Sequence, residues 1–186
     1  MNYSFDTPSV TILGVGNVIL KDEGFGVRVV EYLDKNYEFD DDVQLIDGGT
    51  LGIELTKFIT GTKKLLILDS INSGGEKGKI FKFENDEVLA HFEDKLSAHE
   101  VGVKDVLALL QVTGKAPEEV VVIGAEPYDL GAGVGLSKEM FALLSKVADD
   151  ALKVLEKWNI KVTKKSEFNI DLSTVAEENV RRGNLL

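Results

Sequence analysis

Cysteine is absent from this 186-residue chain, which excludes disulfides, thiolate metal ligands and cysteine nucleophiles. Histidine is scarce: only His91 and His99 are available as imidazole bases or nitrogen ligands. Basic residues are outnumbered, 21 against 32 acids, and the formal net charge is -11. Nucleic acids and anionic membrane surfaces are themselves negative, so a general binder of either is not expected. No apolar run approaches the roughly 20 residues that cross a bilayer. The opening "MNYSFDTPSV" lacks the charged and apolar segments of a signal peptide, and a cytoplasmic protein is expected.

What is present is an ordinary globular composition, 44% hydrophobic and 28% charged, in a length that fits one domain. "SVTILGVG" reads as a buried strand, and "EGFGVRVVEYLDKN" as a helix with Phe25, Val29, Val30 and Leu33 on one stripe. "DVQLIDGGT" is a second strand, "LGIELTKFIT" a helix and "KKLLILDSI" the clearest buried strand. "GKIFKFEN" follows with no helix before it, which predicts an edge strand running antiparallel. "DEVLAHFED" reads as a short helix, "KLSAHEVG" as a loop, "VKDVLALLQVTG" as a helix and "EEVVVIGAEP" as a further strand. Ser137 is placed to cap one long helix, "KEMFALLSKVADDALKVLEKW". The alternation predicts an α/β fold: three layers, with a twisted, mostly parallel sheet of about five strands and helices on both faces. Residues 1–163 are expected to form the single domain. Residues 164–186, where periodicity fades, are read as an appendage, helical or disordered, with "STVAEENVRR" as its helical segment.

Ligands of an open parallel sheet bind beyond the carboxyl ends of its strands. The residues leaving the apolar runs there are Gly16 and Asn17, Asp47, Asp69 and Glu126. The first turn, "GVGNVILKDEG", is not a dinucleotide fingerprint: Ile19 stands where its third glycine belongs, and Asp22 and Glu23 would repel a pyrophosphate. Two acids in a first helical turn also have a plain structural use, as partners of the helix dipole. Asp69 directly follows "LLIL", where an uncompensated charge is costly, so it calls for a partner or a metal. His91 lies in an acid-rich helix and reads as a solvated surface residue. His99 sits in the "KLSAHEVG" loop at the entrance to a helix, and combined with Glu23 and Asp69 it makes an oxygen–oxygen–nitrogen set suited to a borderline divalent metal.

Taken in order, "GVGNVILKDEGFGVRVVE", "DGGTLGIEL", "LLILDSI", "KLSAHEVGVKDVL" and "VVVIGAEPYDLGAGVGLS" resemble the hydrogenase maturation endopeptidases, which trim the large subunit of nickel–iron hydrogenases. The likeness spans roughly residues 9–160. By motif it implies Glu23, Asp69 and His99 as metal-sensing residues, with Asp69 and Glu23 also catalytic. Asn17, Asp22, Asp47, Gly48 and Gly49 fall on supporting positions. The resemblance further implies one cut that removes a C-terminal extension from a precursor already carrying nickel, the metal arriving with the substrate and no nucleotide being needed. Whether the mechanism is aspartic-like or metal-assisted is left open. Two rival readings remain: a non-cleaving binder that senses the metal-loaded precursor, and a nucleotide-dependent α/β enzyme.

Overall fold

The computed structural model describes residues 7–93 and 98–165, without the side chains at 89, 91–93 and 98–101. The imidazoles of His91 and His99 and the tail helix expected in "STVAEENVRR" therefore lie outside the described residues.

The main sheet contains β1 (Val10–Val15), β3 (Val43–Gly49), β4 (Lys64–Ser70), β5 (Ile80–Glu84) and β6 (Glu119–Ala125), in the order β3-β1-β4-β6-β5. β3, β1, β4 and β6 are parallel, and β5 pairs antiparallel with β6 at the edge, as the missing helix before it requires. β2 (Tyr37–Phe39) and β7 (Val162–Lys164) form a separate antiparallel pair.

Alternation along the central strands explains why they read as continuous apolar runs. Ile12, Leu66, Leu68 and Ile123 face one layer, made by α1 (Phe25–Asn36) and α6 (Leu144–Lys157). Leu13, Leu65, Ile67 and Val122 face the other, made by α2 (Thr56–Ile59), α3 (Asp86–Glu93) and α4 (Ala98–Val112). A strand buried on both faces has no polar alternate positions. Among the described residues, no helix is long and apolar enough to cross a membrane.

Three local expectations are corrected. The helix expected over 51–60 is a 3-10 turn, Gly52–Leu55, followed by the four-residue α2. Ser137 does cap a helix, accepting from Met140 N, but that helix is the short α5 (Lys138–Phe141), separate from α6. The expected loop 95–102 is helical from Ala98, so position 99 lies in the first turn of α4.

Candidate functional site

The turn from β1 into α1 is built by close approach. Gly16 has φ +130°, and a Cβ there would lie 1.9 Å from the Glu23 carbonyl oxygen. Within α1, a Cβ on Gly26 would lie 2.0 Å from the Leu68 carbonyl oxygen and 2.6 Å from that of Val15. Helix α1 thereby starts directly against the ends of β1 and β4, and the 3-10 turn Lys21–Gly24 packs on β4. Glu23 and Asp69 stand at the exits of these two neighbouring strands, the arrangement expected of a site in an open sheet. Asp69 is fully buried, its Oδ1 accepts from Ser70 N at 2.7 Å, and the Oε2 atom of Glu23 is buried as well. Asp69 shares the sheet face of Leu65, Ile67 and Ile71, the face covered by α4.

The start of α4 lies at the same edge of the sheet. A Cβ on Gly102 would come within 2.5 Å of the Gly52 Cα, so the helix is seated on the connection that leaves β3. That connection is tied to β1 by Gly16 N donating to the Gly49 carbonyl at 3.0 Å. Position 99 precedes Val103 by one helical step and falls on the register of the buried stripe Val103, Val106 and Leu110. Its imidazole lies outside the described side chains. Among the described residues, no group of three or more His, Asp or Glu stands together as a metal cluster.

The adjacent acids of the first turn have different surroundings. Asp22 is fully buried, and its carboxylate accepts from four donors: Tyr128 N (3.0 Å), Asp129 N (2.8 Å), Ser137 N (2.6 Å) and Ser137 Oγ (2.8 Å). It fastens the glycine-rich 128–137 segment to the β1 exit. Lys21, held at φ +46°, adds an ion pair to Asp129 and a backbone bond to the Gly133 carbonyl at 3.0 Å.

The other supporting residues shape turns. Asn17 Oδ1 accepts from Ile19 N at 3.2 Å. Asp47 is exposed, and its Oδ1 accepts from Gly49 N at 3.0 Å, which stabilises the left-handed Gly49. Gly48 is closely packed, since a Cβ would sit 2.7 Å from Leu13 Cδ1 and make that side chain shift.

Glu126, at the exit of β6, has a role that sequence reasoning did not assign. Its carboxylate accepts from Ser73 N (3.1 and 3.0 Å to the two oxygens), Gly74 N (3.0 Å) and Ser73 Oγ (2.5 Å), and so holds the loop that leaves β4 just beyond Asp69. Burial by itself would raise its pKa. The donors from Ser73, Gly74 and Gly75 outweigh it and hold the group below the ordinary 4.5 of glutamate. The sequence signal was a polar residue at a strand exit; its partners lie 52 and 53 positions away, and nothing local announces them.

Comparison with known proteins was made against this geometry. The HycI family model, "Hydrogenase maturation protease", matches residues 27–158. The "Hydrogenase expression/formation protein HupD" of Rhizobium leguminosarum bv. viciae is 36% identical over 162 residues, covering 86% of this chain and 80% of its own. The "Hydrogenase 2 maturation protease" of Escherichia coli (strain K12) is 35% identical over 153 residues, covering 82% and 93%. Among solved structures, the hydrogenase maturating endopeptidase HybD from E. coli superposes with a TM-score of 0.82 at 34% identity, covering 86% of this chain and 99% of that one.

Proposed function

We propose that this chain, which belongs to the hydrogenase maturation protease family and is a hydrolase, removes a C-terminal extension from the large-subunit precursor of a nickel–iron hydrogenase, and that nickel carried by the precursor is its recognition element. The observation carrying the proposal is that Glu23 and Asp69 stand at adjacent strand exits, on an edge that α4 also meets, near its N-terminal end, at Gly102.

The donor chemistry fits a borderline divalent metal. Glu23 and Asp69 offer oxygens, and His99 is the histidine whose backbone lies at this edge. Such a metal, when bound, polarises a carbonyl and lowers the pKa of water. The protein's own contribution is positional. The 3-10 turn before α1 and the end of β4 fix the two carboxylates, burial lowers the local dielectric, and either carboxylate can take a proton from an attacking water within hydrogen-bond reach. A precursor that binds well only when loaded converts metal occupancy into binding free energy. Localisation in the cytoplasm, with the precursor, belongs to the same proposal.

The test is to incubate the protein with nickel-loaded and nickel-free precursor and to weigh the products. Shortening of the loaded form alone is expected. Equal shortening of both forms would remove nickel recognition. No shortening of either, with binding retained, would favour a non-cleaving binder.

A further inference from the structure

Eight large apolar side chains are exposed among the described residues, and five of them stand on connections leaving the carboxyl ends of the strands: Ile19, Leu51, Ile53, Leu130 and Val134. Three of these five form a ridge beside Glu23. Ile19 is 61% exposed, Val134 55% and Leu130 40%. Their two loops are stitched together: Gly133 N donates to the Ile19 carbonyl at 2.9 Å, Lys21 N to the Gly133 carbonyl at 3.0 Å, and Asp22 N to the Asp129 carbonyl at 3.1 Å. The buried Asp22 carboxylate anchors the whole from beneath.

These backbone bonds hold both loops in place, so their apolar side chains are displayed on a preorganised surface. Keeping them exposed is unfavourable unless something covers them, and a preorganised surface loses little further entropy when covered. Lys21 and Asp129 pair with each other and the Asp22 carboxylate is turned inward, so the outer face of these loops offers mainly apolar side chains.

We propose that this ridge is the docking surface for the folded body of the protein substrate, which presents an apolar face around the segment to be cut. The inference rests on the function proposed above and assigns a part of that recognition to residues that touch neither metal nor scissile bond. Continuity with the site supports this occupant: Ile19 lies in the same β1–α1 connection as Glu23, and the 3-10 turn of that connection packs on β4, the strand that carries Asp69.

The test compares wild type with Ile19→Ser, Val134→Ser and their combination on the nickel-loaded precursor. Val112→Ser serves as control, being 87% exposed at the far end of α4. For the double variant KM should rise roughly tenfold or more while kcat stays within about twofold, as expected when a central apolar contact is truncated. Affinity for the precursor, measured by calorimetry in an Asp69→Asn background, should fall in parallel, and it reads the ridge even without cleavage. Unchanged KM and affinity in the double variant would overturn the proposal. So would a dimer in sedimentation that the double variant breaks apart, because a second copy would then be the occupant. Wild type that binds the precursor through the ridge yet never shortens it would instead overturn the proposed reaction and leave the docking surface standing.

Discussion

Asp22 and Ser137, 115 residues apart, make a double contact in which Ser137 donates both its backbone N–H, at 2.6 Å, and its hydroxyl, at 2.8 Å, to one buried carboxylate. The same hydroxyl accepts from Met140 N at 3.2 Å and so caps α5. One acid therefore organises the far loop, while the acid beside it, Glu23, stands at the proposed site.

Asp22→Ala should be a stability variant before it is an activity variant. It strands the N–H groups of Tyr128, Asp129 and Ser137, and unsatisfied buried donors to a charged acceptor cost roughly 2–4 kcal/mol in total. A drop of that size in urea unfolding is expected. A variant as stable as wild type would show that the loop is held by other contacts.

Glu23→Gln and Asp69→Asn should behave in the opposite way. Both preserve shape, and both remove a carboxylate from the proposed site. Cleavage of the loaded precursor should fall by at least about a hundredfold, the lower range for losing a general base. The fold should persist by circular dichroism. Full activity in Glu23→Gln would remove it from the catalytic role.

Gly26→Ala tests the seating of α1. The added methyl would meet the Leu68 and Val15 carbonyls at 2.0 and 2.6 Å, and backbone cannot yield as a flexible side chain would. A loss of about 1–3 kcal/mol, the usual range for overpacking, should appear as a lower melting temperature. Cleavage should suffer as well, since a displaced α1 pulls the adjoining 3-10 turn, and Glu23 with it, away from the β4 exit.

The Glu126 clasp predicts a pH dependence. Its folded pKa is depressed, so its stabilising contribution is present above the ordinary glutamate value of 4.5 and is lost as pH falls through the lower folded value. Wild type should exceed Glu126→Gln in urea midpoint at pH 7, and the gap should narrow below pH 4.5. A gap independent of pH would mean that the clasp does not depend on the charge.

Misreadings in the sequence had physical causes. "KLSAHEVG", which ends in Gly102, reads as a loop. In the fold Gly102 lies within α4 because only a missing side chain lets that helix reach Gly52. Close approach and chain reversal use the same residue, and a single sequence does not separate them. The break between α5 and α6 was likewise hidden, because both segments continue one apolar pattern.

By itself the sequence determined the buried strands, their mostly parallel order and the carboxylates at their exits. These follow from the period of apolar residues and from what ends each run, both local properties of the chain. Tertiary structure alone decided which of two adjacent acids turns inward to Ser137, that Glu126 clasps Ser73, and that the Ile19 turn and the Gly133 loop form one ridge. Those relations join residues 53 to 115 positions apart, and a carboxylate's role is set by which donors the fold delivers to it.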